Sequence, residues 1–267
     1  MFASMPRLSL PSACVLVALL PFSARAAECP ASSSEIATDR PDVTNSSLVV
    51  PFGSLQSENG INSTGQSAGK GFDGTNSRLR FGVAQCLEVL VDIPSYVGRL
   101  SGPLATGFTN VSPAIKWQVS ALPETTSLSV VVGAGLPTGT RAITGPGPQP
   151  YLQFPWSHEL GGGWGISGMF TSFFRPADFT NHQSTEATFV IEKRLNERMS
   201  VFAEYVSDVP SRGAPIALLN VGGGYLLSRT QQIDFHVAFG LNRNSPDYII
   251  GVGYSYRWDN LWKASTR

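Results

Sequence analysis

The sequence predicts an all-β fold, a closed antiparallel up-and-down transmembrane β-barrel of about 12 strands. Apolar residues recur with a period of two through most of the chain, which is the period of a β-strand. Charged residues make up only 14% of the chain, against about 25% in ordinary soluble domains. The predicted connections between strands alternate between short and long. Since a barrel turns every second residue toward lipid, it needs neither a long apolar run nor a high charge content.

The first 26 residues have the pattern of a secretory signal peptide. Arg7 supplies a positive charge, residues 13–22 are an apolar stretch, and Ala24-Arg25-Ala26 has the small-x-small form of a cleavage site. The apolar stretch is much shorter than the roughly 20 residues of a spanning helix. We therefore expect residues 1–26 to be cleaved during export. The alternative is a retained anchor or a short core helix.

Residues 27–50 lack periodicity and are rich in Ser, Thr and Asp. We expect them to form an extended N-terminal segment in the periplasm. A charged motif in this segment precedes the first strand, and we expect it to fold into the periplasmic mouth and pair with charges in the lumen. The alternative is a solvated linker. The motif consists of Thr38, Asp39, Arg40, Pro41 and Asp42.

The barrel is expected to occupy residues 51–258, followed by a C-terminal tail at 259–267. The last strand has the clearest pattern: Val252, Tyr254 and Trp258 fall on one face, while Gly253 and Ser255 fall on the other. The predicted strands are 54–62, 77–84, 87–93, 110–121, 127–136, 149–159, 164–174, 185–194, 199–207, 216–226, 232–241 and 248–258.

The connections indicate where the barrel resides. Every second connection is short, whereas the others, such as 63–76, 94–109 and 137–148, are long and rich in Gly, Pro and Asn. An even number of strands with this alternation is the layout of a barrel in the outer membrane of a Gram-negative bacterium, surrounded by lipid. Only a closed sheet satisfies every backbone group in hydrocarbon. A soluble β-sandwich, the alternative, would not need the alternation.

In this register charged side chains of both signs point into the lumen. One interpretation is a structural network of ion pairs, because unpaired buried charge is costly. The other is a polar constriction that selects permeants. The candidate lumen residues are Glu58, Arg78, Arg80, Glu88, Asp92, Lys116, Glu186, Glu192, Arg194, Glu204, Asp234, His236 and Arg257.

The predicted strand number suggests a function. Barrels of about 8 strands are filled by side chains and those of about 16 leave an aqueous channel, so 12 strands predict a narrow pore or one closed by loops or by residues 27–50. We expect a channel for passive uptake of small molecules. The alternative is a structural or adhesive barrel with a filled lumen.

An enzyme is a less favoured alternative. Asp234 and His236 share one face of a strand, and an acid can orient a histidine for base catalysis in an outer-membrane hydrolase. No serine nucleophile is indicated beside them, so no catalytic residue is assigned. The glycine runs 161–163 and 222–224 precede no helix that could bind a phosphate, and no cofactor is expected.

The cysteines and the net charge limit other functions. Cys29 and Cys86 remain after signal cleavage, and in an oxidising compartment they could form a disulfide or stay free. Without clustered histidines they make no metal site. The formal net charge is zero, so nothing suggests a nucleic-acid partner.

Several different short motifs occur one after another along most of the mature chain. After the motif at 38–42, the sequence continues with Gln56, Glu58 and Gly60. The other motifs are VPFG at 50–53, LRFG at 79–82, AIKW at 114–117, GLPTG at 135–139 and YRW at 256–258.

In this order, the motifs resemble those of the MetA-pathway of phenol degradation family. The resemblance implies a transporter-like outer-membrane barrel that moves small compounds, aromatic ones among them, and is inserted by the barrel-assembly machinery. Such barrels tend to end at the aromatic residue of the last strand. Here nine residues follow Trp258, which departs from that pattern.

Overall fold

The computed structural model describes residues 34–119, 122–174 and 183–262. The predicted signal peptide, residues 27–33 and the end of the tail at 263–267 lie outside the described residues.

The described residues form one 15-stranded antiparallel sheet, which closes on itself where the last strand pairs with the first. This pairing runs from Leu55 opposite Trp258 to Gly65 opposite Tyr248. One short helix, α1 (Arg141–Thr144), lies between two strands. The strands are β1 (Leu55–Gln66), β2 (Gly69–Gly74), β3 (Arg78–Ala84), β4 (Leu87–Asp92), β5 (Tyr96–Ser101), β6 (Gly107–Phe108), β7 (Ser112–Gln118), β8 (Thr126–Gly135), β9 (Gln149–Gly161), β10 (Trp164–Phe173), β11 (Ser184–Arg194), β12 (Met199–Pro210), β13 (Ile216–Ser228), β14 (Gln231–Gly240) and β15 (Tyr248–Trp258).

Twelve of these strands make the closed barrel, which confirms the predicted fold class. Each of the twelve overlaps a predicted strand, and most ends agree within about three residues. The barrel wall follows the order β1, β3, β4, β7, then β8 to β15 in sequence, and returns to β1. Neighbouring strands in the wall are therefore mostly consecutive in the chain, as expected of an up-and-down barrel.

The other three strands were not predicted. β2, β5 and β6 lie in the segments 63–76 and 94–109, which the sequence placed in long loops. β1 is long enough to pair twice: its first part pairs with β3, and Ile61–Gln66 pairs with β2. β5 and β6 add to this edge, so the sheet continues beyond the barrel on the side of the long loops.

An aromatic cluster holds this extension together. The ring centroids of Phe72 and Tyr96 are 6.0 Å apart, and those of Tyr96 and Phe108 are 5.2 Å apart in an edge-to-face arrangement. Such pairs stabilise by more than their buried area alone.

The distribution of side chains is inverted relative to a soluble protein. On the outside, Ile115 is 54% exposed and Phe235 is 50% exposed. On the inside, Glu58, Arg80 and Lys116 are fully buried. This is the arrangement of a barrel whose solvent is lipid. Among the described residues, no helix is both long and apolar enough to cross a membrane.

Candidate functional site

The lumen contains residues 34–54, which precede β1 and which we name the lumen segment. It starts at the end of the barrel where the short connections lie, because the Ile36 N–H donates to the carbonyl of Arg229 between β13 and β14 at 2.8 Å. It turns back inside the barrel, where the Ser46 N–H donates to Asp39 Oδ1 at 2.9 Å. It returns to the same end, where the Gly53 N–H donates to the carbonyl of Gly82 at 2.9 Å.

From the sequence, residues 27–50 were expected in the periplasm with the charged motif at the mouth, and closure of the pore by residues 27–50 was one alternative. The described part, 34–50, lies within the lumen, deeper than a periplasmic segment would. The segment forms no strand, so it has no periodic pattern that a sequence could show.

Asp39 is the central acid of the lumen segment. Its carboxylate lies 2.9 Å from Arg78 Nη1, 3.2 Å from Arg80 Nη1 and 3.4 Å from Lys116 Nζ. Burial by itself would raise the pKa of Asp39, but the positive charges of Arg80, Lys116 and Arg78 outweigh it and hold the pKa below its ordinary value. The three bases come from β3 and β7, so Asp39 ties the segment to two strands of the wall.

Two glutamates of the wall complete this cluster. Arg80 lies 3.1 Å from Glu58 Oε1 and 3.0 Å from Glu88 Oε1, and Lys116 lies 3.4 Å from the same oxygen of Glu88. All four side chains are fully buried. Buried charge is tolerated only when it is paired and hydrogen-bonded, and each of these groups has a partner.

The same glutamates also bind the backbone of the lumen segment. Glu58 Oε2 accepts the Asp39 N–H at 2.8 Å, and Glu88 Oε2 accepts the Val50 N–H at 2.7 Å. A carboxylate that accepts a backbone N–H makes a charge-assisted hydrogen bond, stronger than a neutral one. The wall carboxylates therefore bind backbone N–H groups, which every residue except proline has, and not particular side chains of the segment.

Glu204 is a third such carboxylate, on the opposite wall in β12. Its Oε2 accepts the Val43 N–H at 2.9 Å, and its Oε1 accepts the Thr44 N–H at 2.9 Å and the Thr44 hydroxyl at 2.8 Å. Asn220 Nδ2 donates to it at 2.9 Å, and the Thr44 hydroxyl also lies 2.5 Å from the hydroxyl of Thr188. Glu204 is fully buried, and these donors surround it.

Asp42 is placed beside this site. Burial raises the pKa of Asp42 well above its ordinary value, and the negative charge of Glu204 raises it further. Three residues after Asp42, Asn45 Nδ2 donates to Gln153 Oε1 of β9 at 3.0 Å. The turn of the segment therefore contacts walls on several sides.

The Arg40 side chain lies in a depression, which we call the Arg40 socket, formed by Asp234 of β14, Gly253 of β15 and Gly60 of β1. Its Nη2 lies 3.3 Å from Asp234 Oδ1 and donates to the carbonyl of Val252 at 3.3 Å. At Gly60 and Gly253 an added Cβ would overlap the Arg40 guanidinium. The absence of side chains at these two positions therefore makes room for the arginine.

His236 does not form an acid–histidine pair in this structure. Its Nδ1 lies 3.0 Å from Asn220 Oδ1 and its Nε2 lies 3.3 Å from Asn62 Oδ1. Asp234, two residues away, is directed to Arg40 instead. The described residues thus place an asparagine at each ring nitrogen, where a hydrolase would need an acid and a nucleophile.

Two cavities lie on opposite sides of the lumen segment. One, of about 730 Å³, lies on the side of the long loops and is bordered by α1. The other, of about 590 Å³, lies on the side of the short connections. Arg40, Asp42 and Asn45 line both, so the turn of the segment separates an extracellular cavity from a periplasmic one.

The remaining predicted lumen residues lie toward the two ends. Arg78 Nε lies 2.6 Å from Asp92, and Arg257 Nε lies 2.7 Å from Asp259. Arg257 also donates to the carbonyl of Glu35 at 3.0 Å. These arginines therefore join the charged network at its edges.

Three more residues lie on the lumen face of β11 or at its end. Glu186 is opposite Asp208 of β12. Glu192 and Arg194 line the periplasmic cavity, and the Arg194 side chain is 61% exposed and 3.4 Å from Glu35. They form the rim of the lumen rather than its centre.

Sequence reasoning did not identify the neutral partners of the segment. The Val49 N–H donates to Gln118 Oε1 at 3.1 Å, and the Ser47 carbonyl accepts from Ser129 Oγ at 2.6 Å. In the charged motif, the Thr38 hydroxyl accepts from Gln232 Nε2 at 2.9 Å. Uncharged residues that alternate along strands are common in any barrel, so they carried no signal.

Cys86 is disulfide-bonded, and Cys29, the partner considered from the sequence, lies outside the described residues. No group of three or more His, Cys, Asp or Glu that could hold a metal ion occurs in the part of the chain that the structure describes.

The barrel is similar to solved outer-membrane proteins. An outer membrane channel from Pseudomonas putida F1 matches with a TM-score of 0.58 and 12% identity, covering 79% of this chain and 97% of that one. The KdgM porin matches with a TM-score of 0.52 and 8% identity, covering 76% of this chain and 98% of that one. At such identities the likeness concerns the fold. Together with the apolar outer face, it shows the fold of an outer-membrane barrel.

No curated protein matches the sequence. A family model described as "Putative MetA-pathway of phenol degradation" matches residues 38–258, which include the charged motif of the lumen segment and the whole barrel. The chain belongs to this family, as its sequence motifs indicated.

Proposed function

We propose that the protein is an outer-membrane channel for passive uptake of small molecules, including aromatic compounds, and that the lumen segment closes it. The observation that carries this proposal is the position of the segment between two polar cavities inside one barrel. The family description, which names phenol degradation, and the fold shared with a channel and a porin support it.

The contacts of the segment suit a reversible closure. They consist of hydrogen bonds and ion pairs rather than a strand ladder, and a typical hydrogen bond contributes only about 0.5–1.5 kcal/mol net. When the segment leaves, Arg80 and Lys116 meet water in the lumen instead of an apolar core. The large cost of leaving an unpaired charge buried is thereby avoided.

A reversible tether tests this proposal. Thr44 of the segment and Thr188 of β11 have hydroxyls 2.5 Å apart, so cysteines at both positions are placed to form a disulfide. Ion conductance and solute flux of the T44C/T188C protein are measured in bilayers under oxidising and then reducing conditions. We expect flux only after reduction, because the tether holds the segment in the lumen.

Wild-type protein under the same two conditions controls for reduction of the native disulfide at Cys86. Equal flux from the tethered and untethered forms would mean that solutes pass a static segment. No flux from either form, with the barrel folded, would contradict the channel proposal.

The second candidate is a structural or adhesive barrel with a permanently filled lumen. The fully buried ion pairs of Arg80 and Lys116 favour it, since such a network can serve stability alone. It predicts no flux in any redox state and a loss of function when the long loops are shortened.

We further propose that the protein is not an enzyme and requires no cofactor. The surroundings of His236, two asparagines, support this. We propose outer-membrane lipid and the barrel-assembly machinery as its partners.

A further inference from the structure

Three residues that line the extracellular cavity have a buried hydrogen-bond donor without a partner among the described residues, namely Arg40, Ser95 and Asn110, and the donors of the last two are neutral. Ser95 Oγ and Asn110 Nδ2 are buried and have no partner among the described residues. The two residues are only 4% and 7% exposed, and both line the cavity. A buried donor without a partner is destabilising, and each one in a native protein needs an explanation.

Backbone hydrogen bonds bring Ser95 next to Thr109, the residue that precedes Asn110. The Thr109 N–H donates to the Ser95 carbonyl at 2.9 Å, and the Ser95 N–H donates to Thr109 Oγ1 at 2.7 Å. Asn110 is the next residue, so the two side chains project from adjacent positions of one bridge. The Asn110 amide is oriented as well, because its Oδ1 accepts the Gly139 N–H at 3.0 Å. Only an oxygen can accept that proton, which leaves the NH₂ group free.

The rest of the lining restricts the charge of a ligand. The lining includes four carboxylates, and Arg78 is already paired with two of them, Asp39 and Asp92. Arg141 is exposed at the rim. Arg40 also lines the cavity and is paired with Asp234. The four carboxylates outnumber the three arginines of the lining, so the cavity favours a neutral ligand over an anion. Val43, Ile93 and Ile143 add apolar surface to the same cavity.

We propose that this cavity binds an uncharged small molecule with a carbonyl or ether oxygen. The oxygen accepts hydrogen bonds from Asn110 Nδ2 and Ser95 Oγ, and the apolar body of the molecule contacts Val43, Ile93 and Ile143. A volume of about 730 Å³ is within the range of small-molecule sites. The inference rests on the proposed channel function, for which this cavity is the first binding site from outside.

The test is calorimetric binding of three probes to the folded, full mature protein in detergent. The probes are acetophenone, which has a neutral carbonyl, ethylbenzene, which lacks the oxygen, and benzoate, which is charged. We expect acetophenone to bind about tenfold or more tightly than either of the others. Asn110→Asp retains the acceptor for Gly139 but removes the donor, and Ser95→Ala removes the hydroxyl. Each change is expected to weaken acetophenone binding about tenfold.

Ser77→Ala is the matched control. Ser77 lines the same cavity, but its hydroxyl already donates to Asn59 Oδ1 at 2.8 Å, so acetophenone binding should not change. Gly135→Ala is an independent variant, since a methyl there would lie 3.4 Å from Asn110 Nδ2 and shield it without a clash. It should also weaken acetophenone binding.

Equal affinity for acetophenone and ethylbenzene would overturn the inference. So would tighter binding of benzoate, or binding unaffected by Asn110→Asp and Ser95→Ala together. The tethered channel assay keeps the two proposals separate. Flux without oxygen-dependent binding would refute this site and leave the channel, whereas selective binding without flux would support the site and refute the channel.

Discussion

Replacing Glu204 by glutamine should release the lumen segment. Glutamine keeps the shape of the side chain but turns one acceptor oxygen into an NH₂ group, which would then face the donors of Val43, Thr44 or Asn220. A hydrogen bond to a charged group contributes about 1.5–3 kcal/mol. Losing two of them weakens the binding of the segment in the lumen by about 3–6 kcal/mol. Since about 1.4 kcal/mol is a factor of ten, the fraction of open channels should rise at least about 100-fold.

Single-channel recording measures this fraction directly. Glu186→Gln is the matched control, because Glu186 lies on the lumen face of β11 but makes no hydrogen bond to the segment among the described residues. We expect the open fraction to rise in Glu204→Gln and to stay at the wild-type level in Glu186→Gln. Identical recordings from both variants and the wild type would refute the argument that Glu204 holds the segment.

Three further perturbations test other parts of the network. Arg80→Met should lower the melting temperature of the folded barrel strongly, because breaking buried ion pairs costs about 3–5 kcal/mol, whereas Arg194→Met, at an exposed pair, should change it little. The pKa of Asp42 is raised when the segment is bound in the lumen. The contribution of Asp42 to the free energy of unfolding is therefore fully present below about pH 3.8 and is lost as pH rises through the raised pKa. Asp42→Asn should remove that fall in melting curves recorded from pH 4 to pH 8, and an unchanged slope would contradict it. Gly60→Ala should displace the Arg40 guanidinium and raise conductance, and wild-type closure would show that the socket is not needed.

The sequence predicted the barrel wall well because lipid imposes a regular demand. β15 shows why: alternate residues from Tyr248 to Trp258 must suit hydrocarbon, so its period of two is visible without any knowledge of its neighbours. β2 escaped prediction because GKGFDG at 69–74 lies beyond the barrel, where no face has to be apolar. It is a strand because β1 is long enough to present unpaired backbone groups to it.

The candidate site was only partly accessible to sequence reasoning. The inward direction of Glu58, Glu88 and Glu204 followed from the register, but their partners did not. Those partners are backbone N–H groups of the lumen segment, separated from them by 19, 38 and 160 or 161 residues in the chain. A backbone N–H has no residue type, so no motif could have indicated these pairs.

The distribution of contacts along the segment has a consequence for the order of assembly. The segment precedes every strand of the barrel in the chain and is synthesised before them, yet its partners extend from Gln56 in β1 to Arg257 at the end of β15. Its complete binding site does not exist until the final hairpin has been added and the sheet has closed. Binding of the segment in the lumen is thus a late step of folding. In a barrel arrested before closure the segment would be open to proteases, whereas a closed barrel would protect it.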